Sequence, residues 1–424
     1  MRAYRPGSVK SRGIPTIPYR DRPSERIVPV MAPHSYDVVI IGGGNGGIAA
    51  AAQLRRRGAK DVALVDPAAT HVYKPLQNYV GTGLAAASSL SRPQARLIPK
   101  GVAWHRSAAA RIDGAERRVE LEDGTALFGA DIVLACGAVT DWNAVPGAEE
   151  ALTSGTAVTT FEDDRLAATR DAIRSLTSGR AVFTLHEQPA SGRETALKPL
   201  FLACDHWRRR GVLGSIEVEL LHDGERLHPV DEIAVAIRRH LDAYGIVLRL
   251  GTRVREVEGP SITVDGPDGS RVVRTDLLHL LPPYAAPELV RASHLDGRDT
   301  GGFAAVDPVT LQHPRHPRVW CIGDAADLGD ARTGGALRHQ VQTVIENIQR
   351  QRTGRSLTEY DGYTVAPIAT SRRSLVFGEY LSRSHEVTRS IPLLDNLRSR
   401  PWWYVLDRHV LPQLYWHGIL KGRI

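Results

Sequence analysis

Cysteine is scarce in this chain: 424 residues contain three, Cys136, Cys204 and Cys321. Three thiols cannot make a disulfide framework or a four-thiolate zinc site, and with no two of them near neighbours a CxxC redox motif is excluded. No apolar run approaches the ~18 residues that a membrane-spanning helix needs. The apolar core of a secretory signal is missing as well. Lysine is nearly absent, since six of the 54 basic residues are Lys and 54 − 6 = 48 are Arg. That skew, beside abundant Ala and Gly, points to coding bias more than to a surface built for nucleic acid.

What remains is ordinary globular composition, 42% hydrophobic and 24% charged, enough for two or three domains with filled cores. The net charge of +7 is unevenly placed, because residues 1–34 hold seven basic groups against Asp21 and Glu25 and so carry +5 of it. Six prolines and no apolar periodicity mark residues 1–34 as an extended or disordered basic arm. The rest is close to neutral. The expected setting is cytoplasmic, with no nucleic-acid partner.

Regular structure is expected from Tyr36. Residues 36–41 are a short apolar run, read as a buried parallel strand because glycines follow at once. Residues 48–57 suit a helix that Gly58 ends, and 62–66 read as a second strand. Between strand and helix lies Gly42-x-Gly44-x-x-Gly47. In this pattern the first glycine permits a tight turn, the second lets a pyrophosphate reach the backbone, and the third lets the helix pack closely. The free N–H groups at the helix start favour phosphate. Asp66, 66 − 47 = 19 residues beyond Gly47, is placed to accept hydrogen bonds from a ribose. Further on, 118–121 and 126–128 read as a hairpin, while 132–135 and 319–322 read as buried strands. Strands at 181–185 and 216–221 flank a helix near 196–210, which makes a second α/β unit. No GxGxxG follows its first strand, so NAD(P)H is not expected to bind there.

The flavin assignment rests on resemblance. Residues 319–324 with Ala325-Ala326 resemble the second fingerprint of two-dinucleotide-domain flavoproteins, and 132–137 resemble the strand connecting their nucleotide domains. More closely, the chain resembles the sulfide:quinone oxidoreductases. It shares His71-Val72-Tyr73-Lys74-Pro75, Ser91-Arg92-Pro93, Leu281-Pro282-Pro283, Thr310-Leu311-Gln312-His313 and Tyr360-Asp361-Gly362-Tyr363-Thr364. This resemblance implies an α/β fold of two Rossmann-like units with FAD as cofactor. It implies a discontinuous FAD domain at 35–150 and 288–352, a degenerate nucleotide domain at 151–287, and a C-terminal segment at 353–424. The implied cofactor residues are Gly42, Gly44, Gly47, Asp66, Lys74, Gly137, Gly323 and Asp324.

The match breaks where the family does its chemistry. The resemblance implies a redox cysteine pair beside the flavin, and the corresponding positions here are Gly192 and Ala366. Neither residue can act as a sulfur nucleophile. The family's Lys is replaced by Arg332. Arg193, Arg338-His339 and Arg372-Arg373 fall in segments the resemblance places around the flavin, and paired N–H donors suit carboxylate or phosphate. The expectation is an FAD-dependent oxidoreductase of specialised metabolism that takes electrons directly from a small anionic organic substrate, with oxygen or a quinone as acceptor. Candidate catalytic groups are Arg332, Arg193, Glu194 and Cys321, with His186 a further candidate base. Two alternatives stand beside it: sulfide:quinone oxidoreductase activity through atypical cysteines, and a non-catalytic flavin-binding protein.

Between 398 and 424, Trp402, Trp403, Tyr404, Tyr415 and Trp416 alternate with Arg398, Arg400, Arg408 and Lys421. Aromatic and basic residues together suit a membrane interface. Peripheral contact with the inner face of a membrane is one expectation, and packing on the flavin domain or across a homodimer is the other.

Overall fold

The computed structural model describes residues 34–187, 193–298, 300–391 and 394–424, together with Met1. The basic arm, apart from its ends, and Gly192 lie outside the described residues, as does the side chain of Arg193. His34–Ile424 form one unit.

A parallel sheet runs in the order Val102–His105, Val62–Val65, His34–Ile41, Ala126–Leu134. Its central strands are apolar on both faces, as a doubly covered parallel sheet requires, and Val38, Val39 and Ile40 are fully buried. The helix Asn45–Arg56 covers one face with Ile48 and Ala49–Ala52. Small alanines let it lie close to the strands.

The two short segments read at 126–128 and 132–135 are one nine-residue strand, Ala126–Leu134. Its first half pairs antiparallel with Arg118–Leu121, and its second half pairs parallel with Val319–Cys321. Gly129 stands at the change of partner, where a Cβ would meet the Asp131 carbonyl oxygen at 2.6 Å. Gly129-Ala130-Asp131 interrupts the apolar run at the change of partner, which is why the sequence suggests two pieces.

A second parallel sheet has the order Ala157–Val158, Leu277–His279, Gly179–Leu185, Ile216–His222, Val247–Arg249. Leu197–Arg209 packs on it and buries Trp207, Phe201 and Leu200. The C-terminal segment opens with a hairpin, Tyr363–Ser371 and Ser374–Leu381, that the sequence reading did not anticipate. It then forms a helical stretch from Pro401 to His417 with a π-turn at Leu406–Val410. Pro412 has no N–H to bond the preceding turn, a cause of such irregularities.

Two interior histidines bear on acid stability. Burial pushes His279 down to about 3 and His313 down to about 4. Both are neutral in the native state, whereas the unfolded chain takes up protons below pH ~6.5. Stability is therefore fully present above that pH and falls as pH drops through the window between 6.5 and 3. Urea midpoints measured from pH 7 to 4 should decline, with a shallower slope in His279→Gln.

Candidate functional site

The glycine loop follows the first strand. Gly42 has φ +101°, and a Cβ there would lie 2.4 Å from the Ala135 carbonyl oxygen. At Gly47 a Cβ would lie 1.8 Å from the Gly42 carbonyl oxygen, so no side chain is tolerated. Gly44 differs from both: it precedes the first helical turn, and a Cβ would meet nothing within 4 Å. Two glycines thus close the turn, and the third faces open space.

Asp66 follows the second strand and accepts hydrogen bonds from the Gly43 N–H and, at 2.7 Å, from the Ala68 N–H. Those bonds fix its carboxylate beside the loop and leave acceptor capacity for a diol. His71 and Gln94, neither of them foreseen as loop ligands, both bond the Gly43 carbonyl oxygen, at 3.1 and 3.0 Å. The other ring nitrogen of His71 meets the Tyr415 hydroxyl, so the C-terminal helix braces the loop. Lys74 is exposed in a 3-10 turn.

Gly137, Gly323 and Asp324 come from the ends of neighbouring strands of the same sheet. Gly137 has φ +73° with nothing within 4 Å of a built Cβ. The Gly323 N–H donates to Gln340 at 2.9 Å, and Gln340 donates in turn to the Ala331 carbonyl oxygen at 2.8 Å. This one buried amide ties the Gly323-Asp324 turn to the turn that carries Arg332. It is invisible in sequence because its partners are 9 and 17 residues away.

Arg332 is buried at 6% exposure, with its guanidinium 4.5 Å above the Phe303 ring and Nε bonded to the Gly329 carbonyl oxygen. Its Nη1 is buried with no partner among the described residues. Burial pulls it below the ordinary arginine value, against the opposing charges of Asp324, Asp327 and Asp330. A donor left unbonded in the interior costs on the order of 1–3 kcal/mol. Immediately after it, the helix Gly334–Arg352 begins, capped by Thr333 accepting from the Ala336 N–H. An orphaned cationic donor beside a helix N-terminus, whose first residue Gly334 has nothing within 4 Å of a built Cβ, fits a phosphate-bearing cofactor with a polar ring.

The remaining candidates are dispersed. Cys321 is buried in the first core, and burial, with Cys136 adding to it, pushes its thiol well up. Burial raises Cys136 to about 11 and raises Cys204 further. Thiols held protonated make poor nucleophiles. His186 has both ring nitrogens engaged, by Asp223 at 3.0 Å and by the Leu281 carbonyl oxygen at 3.1 Å. Glu194 is buried, with an oxygen 2.8 Å from His228 Nε2.

The pyridine nucleotide-disulphide oxidoreductase family matches residues 36–181. The mitochondrial sulfide:quinone oxidoreductase of Dictyostelium discoideum is 28% identical over 392 residues, covering 91% of this chain and 86% of that protein. The sulfide:quinone oxidoreductase of Aquifex aeolicus superposes with a TM-score of 0.77 at 16% identity, covering 93% and 92%. A chain in the mitochondrial ATP synthase structure of Tetrahymena thermophila gives 0.78 at 19% identity, covering 96% and 99%. At these identities the solved structures establish the fold alone. The chain is therefore an α/β oxidoreductase with a flavin implied, its residues 36–181 matching the pyridine nucleotide-disulphide type. Within that class, the chain is a homologue of the sulfide:quinone oxidoreductases.

Proposed function

We propose that this chain is an FAD-dependent oxidoreductase that oxidises a small anionic organic molecule by direct transfer to the flavin, not by a sulfur relay. The observation that carries this reading is the state of the thiols. Cys136, Cys204 and Cys321 are all raised by burial, and Ala366 stands fully buried where the resemblance calls for a cysteine. FAD, when bound, supplies a two-electron acceptor. Gly42, Gly44 and Gly47 would receive its pyrophosphate, Asp66 a ribose, and Gly137, Gly323, Asp324 and Arg332 the flavin end. Residues 35–150 and 288–352 would form its domain, with 151–287 the degenerate second one. There the Asp223 carboxylate is already bonded by His186 and by the Glu187 N–H, which argues against NAD(P)H. Oxygen or a quinone would reoxidise the flavin.

Anaerobic titration of the purified holoprotein tests this. Flavin bleaching by small organic acids, and none by micromolar sulfide or by NADPH, is expected, with the Cys136→Ser/Cys204→Ser/Cys321→Ser protein behaving alike. Bleaching by sulfide that the triple substitution abolishes would restore the family reaction.

Arg332→Gln separates cofactor holding from structure. The apoprotein should melt no lower, because a buried guanidinium with an unbonded Nη1 has been removed, while flavin affinity should drop about 10–100-fold, the equivalent of ~1.5–3 kcal/mol for a charged hydrogen bond. Absorbance ratios and melting curves of apo and holo forms read both.

The C-terminal helix supports peripheral membrane contact. Trp403, Tyr415, Trp416 and Leu420 face the first core, while Trp402, Val405, Val410 and Leu414 are 40–50% exposed on its outer side. Arg400 lies over the Trp402 ring at 5.3 Å, a pairing suited to an interface. No described helix is long and apolar enough to cross a membrane. Flotation with anionic vesicles should carry the protein upward, and Trp402→Glu/Val405→Glu should leave it at the bottom of the gradient.

A further inference from the structure

We infer that Tyr415, His71 and Gln94 are positioning residues that turn the Gly43–Gly44 peptide so that its N–H faces a bound diphosphate, and that this N–H is in place only while the C-terminal segment is seated. This deepens the flavin reading above and rests on it, because the diphosphate is the one FAD would bring to the glycine loop.

Gly43 is held from both sides. Its N–H donates to the Asp66 carboxylate, and its carbonyl oxygen accepts from Gln94 Nε2 at 3.0 Å and from His71 Nδ1 at 3.1 Å. A Cβ on Gly43 would lie 2.2 Å from Gln94 Nε2 and 2.9 Å from an Asp66 carboxylate oxygen, so the partners clasp the residue with no room for a side chain. The peptide that follows is trans, so the Gly44 N–H lies opposite the clasped carbonyl. That N–H has no hydrogen-bond partner among the described residues. A Cβ on Gly44 would meet nothing within 4 Å. One side of the peptide is therefore filled, and the other presents a free donor just ahead of the helix Asn45–Arg56, where an anion is favoured. Turning the peptide over would put a carbonyl oxygen in that place and repel a phosphate.

The partners decide which ring nitrogen carries the proton. His71 Nδ1 stands 3.1 Å from the Gly43 carbonyl oxygen and 3.2 Å from Gln94 Oε1. Both are acceptors, so the proton is assigned to Nδ1. Nε2 is left with its lone pair, to which the Tyr415 hydroxyl donates. Burial lowers His71 and raises Tyr415, which keeps the ring neutral and the phenol protonated near pH 7. Tyr415 thus fixes the tautomer. The same proton orients Gln94, because an Oε1 turned to His71 leaves Nε2 facing Gly43. Without it the amide is free to turn over and set Oε1 against the carbonyl.

The arrangement is built into the interior, with His71 3%, Gln94 1% and Tyr415 3% exposed. His71 and Gln94 enter from one small sheet, in which His71 pairs with Arg92 and Gln94 follows the second strand. Tyr415 enters from the C-terminal helix, with its ring 4.3 Å from that of Tyr73, while Arg92 lies 4.4 Å above the neighbouring Trp416 ring. The sheet and the helix are distant in sequence and meet at one carbonyl. The loop is complete only when both are in place.

The test compares ADP, which carries a diphosphate and a ribose, with adenosine, which lacks the phosphates. Dissociation constants of both are measured by calorimetry on apoprotein, beside FAD release from the holoprotein and melting temperatures. The proteins are the wild type, His71→Leu, His71→Asn and Tyr415→Phe. His71→Asn keeps an N–H where Nδ1 stands, and His71→Leu does not. The wild-type preference for ADP over adenosine is expected to fall about 10-fold in His71→Leu and about 3-fold in Tyr415→Phe, the scale of losing or misaligning one hydrogen bond to a charged group. His71→Asn should retain it. FAD retention should follow the same order, while adenosine affinity hardly moves. A loss of packing alone would weaken both ligands together and leave the preference as it was. An unchanged preference in His71→Leu or in Tyr415→Phe, in protein that carries flavin, overturns the inference alone, and so does an equal fall in His71→Asn and His71→Leu. Wild-type protein that neither carries flavin nor binds ADP overturns the proposed function and this inference with it.

Discussion

Gly47→Ala is expected to abolish flavin binding and to lower the stability of the fold together, whereas Gly44→Ala should abolish flavin binding alone. The difference follows from where each Cβ would go. At Gly47 it would sit 1.8 Å from the Gly42 carbonyl oxygen, so the loop must open or the helix Asn45–Arg56 must move off the sheet. Overpacking of this kind typically costs about 1–3 kcal/mol and more where backbone must shift. At Gly44 the backbone is extended, with φ −73°, and nothing lies within 4 Å. Alanine fits there in the empty protein and fills the space a pyrophosphate needs. Urea unfolding of both apoproteins, beside flavin content after reconstitution, checks the pair. Equal loss of stability in both would mean that Gly44 is structural and that the open space is not the cradle.

Breaking the buried ion pair between Lys198 and Asp407 should have the largest effect on stability. Lys198 is 1% exposed, with its ammonium 2.8 Å from the Asp407 carboxylate, which also accepts the Tyr79 hydroxyl at 2.6 Å. Removing one partner leaves a charge buried without compensation, a loss of about 3–5 kcal/mol. Asp407→Asn and Lys198→Met should each fall in that range, and the double substitution Lys198→Met/Asp407→Leu should recover most of it. Because Asp407 lies in the π-turn of the C-terminal helix, the single variants should also free that helix from Leu197–Arg209. Faster proteolysis near residue 400 would report it. Additive losses in the double variant would show that the two groups act independently.

The legible part of the site was the part written in consecutive residues. Spacing identifies Gly42, Gly44, Gly47 and Asp66, and the structure puts them within one strand–loop–helix–strand unit. Arg332 was named by resemblance, but its burial and unpartnered Nη1 have no sequence signature. Gln340 and Gln94 carry no sequence signal, and His71 stands only within a shared motif, because an amide or an imidazole looks alike whether it faces solvent or clamps a turn. The hairpin at Tyr363–Leu381 was missed because both faces are covered, by the helix Gly334–Arg352 on one side and Leu197–Arg209 on the other. Burial on both faces erases the period-two alternation that marks a strand.

The sequence by itself determined the glycine loop, the two α/β units and the absence of thiols at Gly192 and Ala366. These follow from backbone sterics and side-chain chemistry, which act within a few residues. Tertiary structure alone decided which polar groups meet: Glu194 with His228 and Lys198 with Asp407, with Arg332 left without a partner for Nη1. Those relations join residues from 34 to 209 positions apart. What a buried charge does depends on which groups surround it, and only the folded chain brings those groups together.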